Sequence, residues 1–267
     1  MKKIFLVILL LIASIVLVGQ VYNLQDPLLK YVQTTSEDVA ASVVCAMIFP
    51  LSQTLFDPTE LTDSGDANKD IPIILVHGFM HNSSGMILLR KRLNDEGFTN
   101  VFTVDMGVIP WFKSIEDFAA ALEQKIDQVL KGQSDKKVRL IGHSMGGVVS
   151  AHYALRVADK KGVTVCDVIT LGSPLKGTKI AVLGFGECAR QMECDSNFSV
   201  QLSRDIIESE IRFHHFASKT DLIMRPYHTS LNGEEDETPR SRLVDLGHVS
   251  YLFSRKVIRD IVEILLG

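Results

Sequence analysis

The sequence lacks the features that mark nucleic-acid-binding and repeat proteins. Its formal net charge is -4 at pH 7, and no stretch alternates basic with aromatic residues. Nucleic-acid partners are held largely through positive surface, so we expect no nucleic-acid binding. No fixed-period repeat and no low-complexity tract occurs, which argues against a solenoid or a disordered chain. The 267 residues suffice for one sizeable domain plus an extra segment, and nothing in them indicates an oligomeric state.

Cysteine is also scarce, with four residues whose spacing matches no zinc site. Cys188 and Cys194 lie close together in the polar segment "CARQMEC", where a local disulfide would suit an oxidising compartment. Cys45 and Cys166 lie in apolar runs and are expected to be packed thiols.

Long apolar runs are absent except at the N-terminus. Lys2 and Lys3 precede the run Ile4–Val18, which is shorter than the roughly 20 residues of a membrane span. The pattern predicts a signal peptide over residues 1–21, or an uncleaved signal anchor, because no A-x-A-like cleavage site follows. A buried soluble helix is disfavoured, since the run has no polar face. We therefore expect an exported protein that is periplasmic, secreted or membrane-anchored.

Residues 22–69 are predicted to form an N-terminal extension. It contains a second apolar stretch, Val39–Leu51, which is too short to span a membrane and is stopped by Pro50. A helix packed on the domain is the favoured interpretation, with a membrane-surface element as the alternative.

Residues 70–267 alternate apolar strands with helical segments. A buried strand at Ile71–Val76 is followed by helical spacing that stops at Gly97, and Ser114 with Asp117 predicts a capped amphipathic helix. The last helix is predicted over Tyr251–Leu266. Such alternation indicates an α/β fold with a mostly parallel central sheet and helices on both faces.

The segment "GHSMG" places Ser144 between a predicted buried strand and a predicted helix. A serine hydroxyl becomes a useful nucleophile only with a base for its proton and donors for the oxyanion. In a nucleophile elbow the turn is so sharp that its flanking positions tolerate little side chain, which Gly142 and Gly146 satisfy. The Met145 N–H would then be one oxyanion donor, at the start of the helix.

The segment "ILVHGF" after the first strand supplies the context for a second oxyanion donor. Gly78 allows a tight turn there, and the Phe79 N–H is expected to face Ser144. His77 is a rival for the catalytic base, but its place at a strand end favours a structural role in orienting this loop.

Five segments in this order resemble the motifs of α/β-hydrolases of the lipase/esterase type. They are "IILVHGF", "LIGHSMGG", "VITLGSPLKGT", "ASKTDLIM" and "DLGHVSYL", extending over roughly residues 71–266. The chain is most similar to small bacterial triacylglycerol lipases and to the deacylase domain acting on GPI-anchor inositol lipids. The resemblance implies the α/β-hydrolase fold and a catalytic Ser, Asp and His in that chain order.

That order assigns Asp221, after a late strand, as the acid and His248, after the next strand, as the base. Asp221 would fix the tautomer of His248, which would take the Ser144 proton. His228 is the rival base and Asp245 the rival acid. Two further histidines in the "HH" of a predicted strand are expected to be structural, and His143 to point away from the substrate.

Two loops are candidates for contact with substrate. The segment after Asp105 is dense in apolar residues, and an acyl-binding wall and ordinary packing are equally open interpretations of it. The wall would be formed by Met106, Ile109, Trp111 and Phe112. Residues 175–198 could roof the site, but neither loop is long enough for a large lid.

The expected substrate is a carboxylic ester, with lipid acyl esters favoured over small water-soluble ones. The mechanism requires no cofactor and no metal. The same triad also supports thioesterases, acyltransferases and peptidases, and a non-catalytic lipid-binding protein would need a broken triad. The export signal leaves association with a membrane surface open.

Overall fold

The computed structural model describes five parts of the chain: residues 34–42, 61–107, 113–184, 186–231 and 240–267. The predicted signal segment, residues 1–21, lies outside them. Within these parts, no helix combines the length and apolar character needed to cross a membrane.

A six-stranded sheet forms the centre of the molecule, with every neighbouring pair parallel and the order β2-β1-β3-β4-β5-β6. The strands are β1 (Ile73–Val76), β2 (Val101–Val104), β3 (Lys137–His143), β4 (Thr164–Leu171), β5 (Arg212–Ser218) and β6 (Ser241–Val244). The predicted parallel α/β architecture is confirmed.

Helices separate most of the strands along the chain. They are α1 (Ala67–Asp70), α2 (Ile87–Asp95), α3 (Ile115–Val129), α4 (Met145–Arg156), α5 (Glu187–Gln191), α6 (Asn197–Glu208) and α7 (Arg255–Leu266). Residues 34–42 are also helical, and we call them the extension helix. It includes the first four residues, 39–42, of the helix predicted at Val39–Leu51. The rest of that prediction lies outside the described residues.

Two hydrophobic clusters lie on opposite faces of the sheet, because successive side chains of a strand point to opposite sides. Ile74 of β1 packs in the cluster with α3, α4 and α6, whereas Ile73 and Leu75 pack in the cluster with α2 and α7. Both faces are therefore covered by helices. Because their side chains are buried on both sides, the strands have continuous apolar sequences.

Helix caps set two of the boundaries. The Ser114 hydroxyl accepts from the Asp117 N–H, and the Asp117 carboxylate accepts from the Ser114 N–H, so the predicted cap of α3 is confirmed. The predicted start of the last helix at Tyr251 is wrong. A short 3-10 turn occupies Ser250–Leu252, and α7 begins afterwards because the Ser254 hydroxyl accepts from Val257 N–H and caps it.

Residues 61–70 are fastened to the amino edge of the sheet. The Asn100 side-chain amide donates to the Thr62 carbonyl at 2.8 Å, and its oxygen accepts from the Thr62 N–H at 2.8 Å. The Asn68 carbonyl accepts from the Arg139 guanidinium at 2.7 Å, and its side-chain amide donates to the Leu266 carbonyl at 3.0 Å. These bonds join the end of the extension to both β3 and α7.

A buried ionic cluster links β3, β4 and β5 near the same edge. Asp167 is fully buried, and its carboxylate accepts from Arg139 and Arg212, each at 3.0 Å. Burial alone would raise the pKa of Asp167, but His214, Arg212 and Arg139 outweigh it and lower the pKa below its ordinary value of 3.8. Arg139 is itself buried, whereas the Arg212 side chain is half exposed.

We expect Arg139→Met to lower the free energy of unfolding by about 3 kcal/mol, since it leaves a buried carboxylate short of its buried partner. Arg212→Met is the matched comparison, and its half-exposed pair should contribute less than about 1 kcal/mol. Urea denaturation measures both, and equal losses would contradict this account. Because the native pKa of Asp167 is lowered, its contribution is present above the unfolded-state pKa and disappears as pH falls through the native one.

Candidate active site

The loops that carry the predicted site all leave the sheet at one edge. In a parallel sheet the carboxyl ends of the strands share an edge, which is where α/β proteins bind ligands. Gly78 follows β1, Ser144 follows β3, Asp221 follows β5 and His248 follows β6. The topology therefore brings together residues that are far apart in sequence.

Ser144 lies in the sharp turn that the sequence predicts. Its backbone has φ 55° and ψ -127°, a region that residues with side chains rarely adopt. The turn packs against neighbouring backbone so closely that a Cβ on Gly146 would lie 2.1 Å from the Val76 carbonyl oxygen. A Cβ on Gly142 would lie 2.4 Å from the Gly146 backbone, so both positions admit only glycine.

Ser144, His248 and Asp221 form one hydrogen-bonded line. The His248 Nε2 lies 2.9 Å from the Ser144 Oγ, and the His248 Nδ1 lies 2.9 Å from Asp221 Oδ2. Asp221 is fully buried, and its other oxygen accepts from the N–H groups of Ile223 and Met224 at 2.8 and 3.0 Å. Since a carboxylate can only accept, the Nδ1 carries the proton and the Nε2 is free to accept from the serine hydroxyl.

Asp221 and His248 each favour the charged form of the other. Burial alone would lower the pKa of His248, but the charge and hydrogen bond of Asp221, with a contribution from Asp38, raise it above its ordinary value of 6.5. Burial would raise the pKa of Asp221, but His248 and the two backbone bonds lower it. The arrangement thus favours an ionised acid that stabilises an imidazolium.

The loop after β1 approaches Ser144 closely. A Cβ on Gly78 would lie 3.0 Å from the Ser144 Cβ, so the absence of a side chain allows this approach. The N–H groups of Phe79, next in this loop, and of Met145, the first residue of α4, donate to no acceptor among the described residues. They are the two donors that the sequence assigns to an oxyanion.

His77 holds this loop in place. Its Nε2 accepts from the Met106 N–H at 3.0 Å, so its Nδ1 donates to the Gly78 carbonyl at 2.9 Å. Burial lowers the pKa of His77 to about 4, which keeps the ring neutral at physiological pH. These contacts agree with the structural role predicted for His77 rather than with the rival role as a base.

The rival histidines do not join the line. His214 and His215 lie within β5, where the ring of His215 meets the Thr170 hydroxyl at 2.9 Å. His228 is exposed and its ring contacts Tyr227.

His143 is buried beside the line. Its Nε2 donates to the His248 carbonyl oxygen at 2.8 Å, and the two rings lie 4.9 Å apart. Burial and the neighbouring His248 lower the pKa of His143 to about 3, so this donor stays in one protonation state at neutral pH. A sequence motif gives no signal for this contact, because it depends on where the β6 loop lies.

The predicted acyl-binding wall is only partly described. Met106 is buried in the hydrophobic cluster beneath the loop, so its assignment to a substrate-facing wall is wrong and the packing interpretation holds for it. Its N–H is engaged with His77, which fixes its backbone at the end of β2. Ile109, Trp111 and Phe112 lie outside the described residues.

The disulfide predicted between Cys188 and Cys194 is not formed, since both are free thiols. Cys188 lies in α5 and is fully buried in the hydrophobic cluster. Burial raises its pKa to about 11, which keeps it in the thiol form. The local spacing suggested a bridge, but the helix directs Cys188 into the core. The free Cys166 is half-buried in β4, which places it at a strand position rather than deep in the core.

Apolar side chains are exposed in the loops around the line. The Thr178 hydroxyl donates to the Ile223 carbonyl at 2.6 Å, which joins the loop after β4 to the Asp221 loop. Exposed large apolar side chains on these loops and on the loop after β1 include Met80, Val182, Leu183, Leu222 and Ile223. We call these five residues the apolar rim.

One further residue at the site was missed by sequence reasoning. Asp38 of the extension helix accepts hydrogen bonds from the N–H groups of Val249 and Ser250, directly after His248. The two segments are more than 200 residues apart, and no motif surrounds Asp38, so only the tertiary structure shows the contact.

Solved structures with the same fold include several lipases. Aspergillus fumigatus lipase B matches with a TM-score of 0.58 and 13% identity over 79% of this chain and 56% of that chain. The mature form of Bacillus licheniformis lipase BlEst2 matches with a TM-score of 0.54 and 19% identity over 78% of this chain and 96% of that chain. These likenesses confirm the α/β-hydrolase fold.

A family model described as palmitoyl protein thioesterase matches residues 72–220, which is more than half of the chain. The matched range contains Gly78 and Ser144 and ends just before Asp221, so the placement of Asp221 and His248 rests on the geometry described above. The lipase/esterase-type resemblance of the sequence motifs is confirmed at the level of the α/β-hydrolases. The chain belongs to the palmitoyl protein thioesterase family.

Proposed function

We propose that this protein is a serine hydrolase that cleaves acyl esters through a covalent acyl-enzyme. The observation that carries the proposal is the line from Asp221 through His248 to Ser144, with both links at 2.9 Å. A neutral Nε2 in contact with a serine hydroxyl is the arrangement that generates a nucleophile at neutral pH.

The reaction follows from this geometry in two halves. The His248 Nε2 takes the proton of Ser144 as the Oγ attacks the carbonyl carbon, and the oxyanion lies against the N–H groups of Phe79 and Met145. The imidazolium, stabilised by Asp221, gives its proton to the leaving alcohol or thiol, and the acyl group stays on Ser144. Water then gives a proton to His248 as its oxygen attacks the acyl carbon. The imidazolium returns that proton to the Ser144 Oγ as the acyl bond breaks, which releases the acid and regenerates the free serine.

Lipid acyl chains are the favoured substrates. The apolar rim lies on loops that also carry or adjoin the reacting residues, and Val182 and Leu183 are 65% and 71% exposed. Exposed apolar groups on the loops of a site favour contact with an acyl chain or a membrane surface. The N-terminal pattern of Lys2, Lys3 and the run Ile4–Val18 adds the proposal that the protein is exported and remains near a membrane.

Acyl thioesters are the second candidate, because the family model that matches residues 72–220 is that of palmitoyl protein thioesterases. The same line serves either substrate, since a thiolate leaves more readily than an alkoxide and needs less help from the imidazolium. The chemistry of the acyl half is unchanged.

We expect hydrolysis of p-nitrophenyl esters to increase from acetyl to palmitoyl chains, because longer chains bury more apolar surface at the rim. Ser144→Ala should lower kcat on the order of 10⁶-fold. Ser209→Ala, after the end of α6 at the opposite edge, is the control and should keep wild-type activity.

An optimum at acetyl would contradict the lipid substrate, and full activity in Ser144→Ala would contradict the mechanism. Palmitoyl-CoA hydrolysed faster than palmitoyl ester would select the thioester. Transfer to an added alcohol that exceeds hydrolysis would select an acyltransferase instead.

Asp221→Asn should lower kcat on the order of 10³- to 10⁴-fold and move the acid limb of kcat/KM to lower pH. The direction follows because Asp221 raises the pKa of His248, and His248 must be neutral to accept the serine proton. Asp245→Asn, which removes the rival acid, is the matched control and should leave both quantities near wild type. The reverse pattern would assign Asp245 as the acid.

A further inference from the structure

The extension helix contacts the β6 loop at the residues that follow His248. The Asp38 Oδ1 accepts from the Val249 N–H at 2.5 Å, from the Ser250 N–H at 3.0 Å and from the Ser250 hydroxyl at 3.2 Å. One carboxylate oxygen therefore satisfies three donors in the loop.

We propose that Asp38 is a positioning residue that holds His248 on the line between Asp221 and Ser144, so that the N-terminal extension is part of the active site. This inference rests on the proposed function and deepens it. The palmitoyl protein thioesterase model does not cover Asp38, because its matched range begins at residue 72.

The argument begins with a single peptide unit. The carbonyl of His248 and the N–H of Val249 belong to the same planar peptide group. His143 donates to its oxygen at 2.8 Å, and Asp38 accepts from its nitrogen at 2.5 Å. The backbone at His248 is thus fixed on both sides, once from β3 and once from the extension.

The helix lies directly on the loop. A Cβ on Gly247 would come within 2.2 Å of the Asp38 Cβ, so the residue before His248 must be glycine for the helix to sit there. A cavity of about 380 Å³ beside this contact is lined by the extension helix and by the Asp221 and His248 loops. The helix therefore contacts the His248 loop and shares a cavity with the Asp221 loop.

Asp38 also adds charge. The titratable groups of the packed elements are Asp221 and Asp38, whose charges act on the imidazole, His143, whose ring lies 4.9 Å from it, and Tyr251, which is buried near both carboxylates. Burial lowers the pKa of His143 and raises that of Tyr251, so both are neutral near pH 7. Asp221 and Asp38 are the carboxylates of this set, and each raises the pKa of His248.

Two substitutions separate the position from the charge. Asp38→Asn keeps an oxygen that can accept the three bonds, so kcat should stay within about 3-fold while the acid limb of kcat/KM moves to lower pH. Asp38→Ala removes the acceptor, and kcat should fall about 10- to 100-fold, as expected when a base is displaced by a fraction of an ångström to an ångström.

Glu208→Gln is the matched control, because it removes one negative charge at the end of α6, at the amino edge of the sheet. It should leave the pH profile unchanged. Gly247→Ala is an independent variant that displaces Asp38 without altering it, and it should lower kcat in the same direction as Asp38→Ala.

The readout is the rate at which a fluorophosphonate probe labels Ser144 in the full chain, measured from pH 5 to 9 alongside ester hydrolysis. A wild-type protein that is never labelled contradicts the proposed function itself. Labelling of wild type that is matched by Asp38→Ala at every pH contradicts the role of Asp38 alone. If Asp38→Ala fails to fold, Gly247→Ala decides, and labelling of that variant at the wild-type rate overturns the inference.

Discussion

The backbone of Ser144 is the constraint on which the site depends. The residue adopts a left-handed conformation that is costly for a side chain, and it persists because the surrounding packing leaves no other path. The Gly146 backbone lies against the carbonyl of Val76, so β1, β3 and α4 meet at this one turn. This backbone conformation places the serine hydroxyl above the sheet edge, where the loops that follow the other strands can reach it.

Around that turn, burial and neighbouring charges have opposite effects on the pKa values of His248 and Asp221. Their balance sets the protonation state of each group. His248 and Asp221 are both buried, which disfavours their charged forms. Their mutual attraction reverses the outcome for both. His77 lies 3.8 Å from the half-exposed Asp105, but burial outweighs that charge, and burial likewise keeps His143 neutral. Four buried groups near one serine thus divide into an ion-forming pair and two neutral hydrogen-bond partners that hold the loops.

Much of the fold could be predicted because each element leaves a local signal. The strands are apolar runs bounded by turns, the cap at Ser114 has its acid three residues on, and "GHSMG" lies between strand and helix. The resemblance to α/β-hydrolases implies the order Ser, Asp, His, and Asp221 and His248 are the residues after late strands that fit it; a parallel sheet converts that order into proximity. Errors arose where the local pattern allowed two outcomes. Met106 packs into the core, Cys188 turns inward on α5, and the last helix begins at Arg255, after its cap Ser254.

The sequence by itself determined the strand order along the chain, the turn at Ser144 and the types of residue that follow each strand. These features depend on contacts between near neighbours, which a linear pattern records. Only the tertiary structure decided what holds His248, because the bonds to its peptide come from His143, 105 residues away, and from Asp38 in the extension helix, which bonds Val249 across 211 residues. Such contacts are set by how separate elements pack, and packing over that distance leaves no periodicity or spacing in the sequence.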